Sequence, residues 1–275
     1  MKKIFIIIFF LVGILNSEAE NSRYLLLVDS AENYIKRESW EKAEILLIEA
    51  MREEPANFHN AMLFSNLGLV RENTGNIEGA IEAYRLGLSI SPGSTVLLNN
   101  KGRLLLEKKD YGEALECIEK SLTIDSSQQF PLLMRALINE KEGNFNEAGN
   151  DYNRLIELDS LNVSALIGLG RLAEHKGDFH SAYKLYNRAL EINDTEEIRS
   201  SIILLKINAQ NYSEASEEIR KALELYPDSG ELYLWRGLLH KLNYRNQEAE
   251  ADRKNALAHG ADPELVEFYL PVSRR

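Results

Sequence analysis

The segment 177–194, GDFHSAYKLYNRALEIND, carries the pattern that decides the fold, because its outline returns along the chain. Related versions occupy 73–92 (NTGNIEGAIEAYRLGLSISP) and 143–160 (GNFNEAGNDYNRLIELDS). In each, a glycine is followed by Asn or Asp, and an alanine stands four residues later. Glycine readily ends a helix in the left-handed conformation, and Asn or Asp caps the next helix. The pattern therefore predicts two helices joined by a tight turn.

Small residues recur at two fixed places in this pattern. The alanine stands at Ala43, Ala80, Ala114, Ala148, Ala182, Ala215 and Ala249. Twelve positions earlier stand Ala31, Gly68, Gly102, Ala136, Gly170, Ile203 and Gly237. A period of 20 to 50 residues is the signature of stacked supersecondary units. Because tiny side chains let helix axes approach closely, we expect Gly170 to face Ala182 within one hairpin, and the other pairs likewise.

The pattern resembles the tetratricopeptide repeat family, with small residues at the eighth and twentieth places of each repeat. The family's aromatic residue at place 24 is matched by Tyr84, Tyr152 and Tyr186, and its proline near place 32 by Pro55, Pro92 and Pro227. The resemblance implies an all-α fold: an α-solenoid, wound as a right-handed superhelix of seven helix-turn-helix repeats plus a short C-terminal capping helix.

The repeat domain is predicted to span 20–262. Its repeats lie near 24–60, 61–94, 95–128, 129–162, 163–195, 196–229 and 230–262. Asp262 can cap a closing helix with Pro263 at its first position, so 263–275 is assigned to a capping helix and tail. Ile203 stands where a tiny residue is expected, which predicts a splayed or bulged sixth hairpin. Arg253 replaces the aromatic residue of the seventh repeat, as suits a wetted outer face.

The first residues form a distinct segment, MKKIFIIIFFLVGILNSEAE. Two lysines, an apolar run over 4–15 and small residues at Ser17 and Ala19 follow the order of a secretory signal. We therefore predict a signal peptide over 1–19, cleavage after Ala19, and export to the periplasm or the cell exterior. The alternative is an uncleaved membrane anchor, although the run is shorter than the roughly 20 residues that span a bilayer.

Composition and motifs narrow the function classes. A net charge of −11 argues against nucleic-acid binding, which needs clustered Lys and Arg. The five histidines are scattered, and the single cysteine, Cys117, has no partner at metal-ligand spacing. The residues 168–173 fit G-x-G-x-x-A, but they lie inside a predicted helix and not after a strand. The sequence therefore predicts no enzyme, no cofactor and no metal.

The resemblance also implies a binding surface, because places 2, 5, 6, 9, 12 and 13 of each repeat reach the concave groove of the family. The residues carried over are Asn66, Leu69, Val96, Asn99, Asn100, Arg103, Phe130, Leu133, Met134, Leu137, Arg171 and His175. The amides of Asn66 and Asn100 are expected to hold an extended peptide. Arg103 and Arg171 are expected to pair with an acidic group. The four apolar members from Phe130 onward would form a hydrophobic stripe, unless the register differs and the stripe is core.

The function predicted from these features is a non-enzymatic scaffold for protein–protein interaction, which binds a protein or peptide in the concave groove. The identity of that partner is not encoded in any motif of the chain. One rival is a cell-envelope assembly factor or chaperone-like holdase that binds its clients through the hydrophobic stripe. A second rival is a membrane-tethered complex subunit that retains the residues 4–15.

Overall fold

A computed structural model describes residues 22–271 of the 275-residue chain. The predicted signal peptide and the last four residues lie outside this described part. Between residues 22 and 271 the chain forms fifteen α-helices and no strand. None of these helices combines the length and apolar character that crossing a membrane requires.

The chain divides into two compact units, the N-terminal unit Met1–Asn144 and the C-terminal unit Phe145–Arg275. The helices of the N-terminal unit are α1 (Arg23–Lys36), α2 (Trp40–Glu53), α3 (Asn60–Asn73), α4 (Ile77–Ile90), α5 (Thr95–Glu107), α6 (Tyr111–Ile124) and α7 (Gln129–Glu142). The helices of the C-terminal unit are α8 (Phe145–Leu158), α9 (Val163–His175), α10 (Phe179–Ile192), α11 (Glu196–Asn208), α12 (Tyr212–Leu225), α13 (Gly230–Leu242), α14 (Asn246–Ala258) and α15 (Pro263–Tyr269). Helix starts follow the predicted repeat register to within one residue.

The turns inside the hairpins have the predicted chemistry. Gly143 and Gly177 adopt positive φ angles of 81° and 76°, in the left-handed region. Asp178 then accepts a hydrogen bond from the backbone N–H of Ser181 at 3.0 Å, which caps α10. Lys109 and Gln210 occupy the same turn place in other hairpins with φ of 64° and 61°. These turns therefore keep the left-handed geometry without glycine, at a cost in backbone strain.

The tiny residue of the first helix is covered by the aromatic residue of the second. A Cβ atom added to Gly170 would collide with the buried ring of Tyr186, and one added to Gly68 with that of Tyr84. The predicted close approach of the alanine on the second helix to the tiny residue on the first helix is seen in the third and seventh hairpins. There the carbonyl oxygens of Ala114 and Ala249 would lie 3.5 and 3.4 Å from a Cβ on the facing glycine. Glycine therefore makes room for a ring as well as for a backbone.

We expect Gly170→Leu to lower the free energy of unfolding by about 1–3 kcal/mol, because the new side chain would overpack against Tyr186. Urea unfolding followed by circular dichroism measures the change. The control is Glu116→Ala on the exposed surface of α6, which should stay within about 0.5 kcal/mol of the wild type. Equal losses for both variants would contradict the assigned packing.

The sixth hairpin differs from the others, as its sequence predicts. Ile203 is fully buried in the core cluster that also contains Ile219. Its helices, α11 and α12, pack less closely than the helices of the other hairpins that lie within one unit. Ile219 stands where the fifth hairpin has Tyr186. Compared with the fifth hairpin, the residue on the first helix is therefore larger, isoleucine instead of glycine, and the residue on the second helix is smaller, isoleucine instead of tyrosine. The pair keeps the core filled while the helices stand apart.

The last hairpin is closed by α15. Val266 and Leu270 are buried against this hairpin, with 1% and 3% of their surface exposed. Leu270 takes the place of the ring over Gly237, where an added Cβ would lie 2.7 Å from its Cδ1. Arg253 donates from Nε to the carbonyl oxygen of Leu270 at 3.0 Å, and its side chain is only 18% exposed. The prediction of a wetted face at Arg253 is therefore wrong, because this residue fastens the capping helix.

Candidate functional site

Three residues of the predicted hydrophobic stripe remain accessible in the N-terminal unit, and Val96 on the neighbouring helix is accessible as well. These four residues, on α5 and α7, are called the apolar stripe. Val96 lies on α5, and Phe130, Leu133 and Leu137 lie on α7, all of them partly exposed. The three α7 residues follow a spacing of three and four, so they line one face of that helix. Partly exposed apolar side chains on one helix face offer a hydrophobic surface to a partner, and a partner can contact them while the buried core stays intact.

Five of the residues predicted to line the groove are instead buried. Their exposed fractions are 3% for Asn66, 4% for Leu69, 4% for Asn99, 9% for Asn100 and 3% for Met134. Leu69 belongs to the core cluster shared with α1 and α2, and the Asn99 amide donates to Gln128 Oε1 at 3.0 Å. The structure corrects the prediction that the Asn66 and Asn100 amides hold a peptide, because a buried amide faces protein and not a ligand.

Arg103 is occupied within the protein. Its Nη2 donates to a carboxylate oxygen of Glu72, and its Nη1 donates to Glu107 Oε1 at 2.9 Å. The hydroxyl of Tyr84 donates to the other carboxylate oxygen of Glu72. Burial and, next, the Glu72 carboxylate raise the pKa of Tyr84 far above its ordinary value, so the hydroxyl stays protonated and donates. Arg103 was predicted to pair with an acidic group of a partner, whereas in the structure its guanidinium pairs with Glu72 of the neighbouring repeat and with Glu107.

Two predicted residues lie in the C-terminal unit. Arg171 is half-buried, and its Nη2 donates to the hydroxyl of Tyr152 at 3.3 Å. His175 is exposed at the end of α9, and its ring lies 3.9 Å from the ring of Phe145. The predicted set is therefore divided between the two units, and the accessible stripe belongs to the N-terminal unit alone.

The structural role of two glutamates was not predicted. Glu72 and Glu174 both stand at place 12 of their repeats, and each accepts from the tyrosine at place 24 of the same repeat. The Tyr186 hydroxyl donates to Glu174 Oε2 at 2.6 Å. The recurrence of Glu at place 12 with Tyr at place 24 is a signal in the sequence that could have revealed both pairs.

The comparisons with known proteins agree with the repeat register. Sequence profiles described as tetratricopeptide repeat match residues 63–94, 96–128, 133–197 and 202–263. The BBSome complex member BBS4 of Bos taurus is 29% identical over 119 residues, which is 43% of this chain and 22% of that protein. The chain thus spans about a fifth of the length of this curated relative.

Solved structures share the fold. A tetratricopeptide repeat protein from Parabacteroides merdae superposes with a TM-score of 0.78 and 24% identity, covering 90% of this chain and 97% of its own. PilW, described as a widely conserved type IV pilus biogenesis factor, has a TM-score of 0.66 at 19% identity, over 77% of this chain and 97% of its own. PilF of Pseudomonas aeruginosa has a TM-score of 0.63 at 19% identity, over 76% and 94%.

Helical hairpins in a constant register, small residues under a tyrosine ring, and profile matches that together run from 63 to 263 all point to one family. The fold is an all-α solenoid of helix-turn-helix repeats with a short C-terminal capping helix. Proteins built on this fold generally bind other proteins and are generally not catalysts. The chain belongs to the tetratricopeptide repeat family.

Proposed function

We propose that this protein is a non-enzymatic scaffold that binds a protein or peptide partner through the apolar stripe Val96, Phe130, Leu133 and Leu137. The observation that carries the proposal is the partial exposure of these four side chains on adjacent first helices of the N-terminal unit. A buried aromatic anchor surrounded by aliphatic contacts is the usual centre of a protein interface. Phe130 is the natural anchor of this surface.

The stripe supports recognition by shape and hydrophobic contact more than by charge. Arg103, the nearest predicted cation, is neutralised by Glu72 and Glu107 and is 13% exposed. Lysines that would hold a partner's C-terminal carboxylate are absent from the fifth place of the second to fifth repeats, which carry Ser65, Asn99, Leu133 and Ile167. We therefore infer that the partner contributes apolar side chains, and that affinity depends on their burial.

Site-specific crosslinking tests the location. A photoreactive residue at position 133 should capture a stoichiometric partner in cells, and one at position 116, on the exposed surface of α6, should not. Capture of the same protein with equal yield from both positions would contradict the proposal. The partner is then identified by mass spectrometry of the crosslinked product.

We expect Phe130→Ala to weaken partner capture by about tenfold or more, because the substitution removes the aromatic anchor. The matched control is Phe58→Ala, the same change at a residue that is 73% exposed outside the stripe. The control should leave capture unchanged. Equal binding by both variants, with unaltered circular dichroism, would place the binding surface elsewhere.

A second candidate is a role in assembly at the cell envelope. PilW and PilF share the fold, and PilW is described as a type IV pilus biogenesis factor. A holdase would use the same stripe to retain unfolded clients. Suppression of aggregation of several unrelated unfolded proteins by equimolar chain, lost in Phe130→Ala, supports this candidate, whereas a single stoichiometric partner supports the scaffold.

We also propose export to the periplasm or the cell exterior. The charged start, apolar run and small-residue exit of residues 1–19 support it. The mass of the mature chain in its native cell is the test. Loss of the first nineteen residues supports export, and an intact N-terminus that pellets with membranes supports the membrane-tethered subunit.

A further inference from the structure

A cavity of about 300 Å³ lies between α12 and α13 in the C-terminal unit. Three arginines and a histidine line it, namely Arg220, Arg236, Arg245 and His240, and Tyr212 and Ser216 also belong to the lining. Glu217 is the only acidic residue in the lining. This cationic lining contrasts with a chain whose net charge is −11.

The cavity lies away from the places that line the family's concave groove. Arg236 and His240 occupy the seventh and eleventh places of the last repeat, and Arg245 follows in the turn before α14. The groove places are 2, 5, 6, 9, 12 and 13. The cavity belongs to the C-terminal unit, and the apolar stripe belongs to the N-terminal unit.

Arg236 is held in place with donor capacity to spare. Its Nε and Nη2 donate to the two carboxylate oxygens of Asp252 at 2.9 and 2.6 Å. Asp252 is 2% exposed and does not line the cavity. A guanidinium has five N–H donors, so this bidentate pair leaves the Nη1 edge available. The buried carboxylate fixes the orientation of Arg236 without covering that edge.

His240 and Arg245 complete the polar wall. The Nδ1 atom of His240 lies 3.0 Å from Asp252 Oδ2 but is not aligned with it for a hydrogen bond. Arg245 stands at the N-cap of α14 and makes no side-chain cap bond. Its Nε donates to Glu248 Oε1 at 2.9 Å, and its Nη2 lies 2.9 Å from the same oxygen, so the Nη1 edge remains for a ligand. The positive end of the α14 dipole lies next to it, and the carboxylate of Glu248 in the first turn of α14 already interacts with that helix end.

Arg220 differs from the other two arginines. Its Nε and Nη2 donate to Glu217, and its Nη1 donates to Glu224 at 2.5 Å. All three nitrogens therefore already have carboxylate partners. Since Arg220 lines the same cavity and carries the same charge, it provides a built-in control for a contact made by Arg236 and Arg245.

We propose that this cavity binds a phosphate group through Arg236 and Arg245. Two guanidinium groups suit a tetrahedral dianion, because each supplies N–H donors and a positive charge. The group would be either free phosphate or a phosphate monoester on a side chain. The volume of the cavity admits both.

Isothermal titration of the full chain with inorganic phosphate and with O-phosphoserine, at constant ionic strength, is the test. We expect binding of at least one probe, weakened about tenfold or more in Arg245→Gln, because a charge-assisted hydrogen bond is lost. Arg220→Gln, which removes the same charge, should change binding less than about twofold. Tighter binding of O-phosphoserine would identify the monoester as the ligand, and equal or weaker binding would identify free phosphate.

Two outcomes would overturn the proposal. The first is no heat of binding for either probe at about 10 mM, a concentration at which even a very weak site fills. The second is equal weakening in Arg220→Gln and Arg245→Gln, which would show that only net charge matters. Both substitutions remove partly exposed ion pairs, which contribute little to stability, so we expect the melting curves to stay unchanged. Unchanged melting curves then establish that both variants are folded.

Discussion

Replacing Arg103 by methionine should lower the free energy of unfolding by about 3 kcal/mol, the lower end of the range for breaking a buried ion pair. The side chains of Arg103 and Glu72 are 13% and 8% exposed, so the substitution leaves a poorly solvated carboxylate. Burial alone would lower the pKa of Arg103, but the Glu72 and Glu107 carboxylates outweigh burial and raise it. Urea unfolding monitored by circular dichroism measures the loss.

Two further variants separate this charge network from an ordinary surface pair. Arg85→Met breaks an exposed ion pair with Glu82 on α4 and should have little measurable effect on stability. Glu72→Gln added to Arg103→Met removes the stranded charge while its side-chain oxygen can still accept from Tyr84. The double variant should be more stable than Arg103→Met alone. A loss in Arg103→Met no larger than that in Arg85→Met would show that the network contributes nothing.

This result bears on the binding site as well. Arg103 was expected to be a groove residue, and a variant at this position would lose partner binding through instability. Phe130 and Leu133 are the sharper probes, because they are partly exposed and have no part in the Glu72 network. Loss of capture in Phe130→Ala with an unchanged melting curve is therefore diagnostic, and loss of capture in Arg103→Met is not.

The helices and turns could be predicted from sequence because they depend on local chemistry repeated seven times. Gly177 ends one helix and Asp178 caps the next, and both effects act within a few residues. The start of α15 at Pro263 follows from the same kind of signal. Repetition makes the prediction stronger, because each hairpin has the same register as the one before it.

The surface could not be predicted with the same success, because exposure depends on how neighbouring hairpins meet. Asn66 and Asn100 stand at a family groove place, yet Asn66 is 3% and Asn100 9% exposed. Arg103 was assigned to a ligand because its partner, Glu72, lies 31 residues earlier in the chain. A contact between two repeats produces no pattern in the local sequence. The one signal for this network was the recurrence of Glu at place 12 with Tyr at place 24.

The sixth hairpin shows how a departure from the repeat pattern is compensated. Ile203 was expected to overpack and to splay the hairpin, and a tyrosine at the facing position, as in the fifth hairpin, would increase the overpacking. Ile219 stands there instead, and both isoleucines are buried with 0% and 1% of their surface exposed. A pair of one tiny and one large residue has become a pair of two medium ones, so pairs of positions and not single positions determine the packing.

We therefore expect Ile203→Gly, which restores the family's tiny residue, to destabilise the protein by about 4 kcal/mol. Removal of a buried isoleucine leaves a cavity beside Ile219, and glycine inside a helix adds its own cost. Judged from the repeat pattern alone, the same substitution would be stabilising, because it would relieve overpacking. Urea unfolding distinguishes the two expectations by the sign of the change.

The second half of this test rebuilds the missing partner. Ile219→Tyr in the wild-type background should be destabilising, since the new ring meets Ile203 and overpacks the core. Combined with Ile203→Gly, however, the tyrosine can lie on the glycine as Tyr186 lies on Gly170 in the preceding hairpin. The double variant should recover at least about 1 kcal/mol relative to the sum of the two single losses, because contacting residues are energetically coupled. Strict additivity of the two losses would mean that the positions do not pack against each other, and the compensation inferred for this hairpin would be wrong.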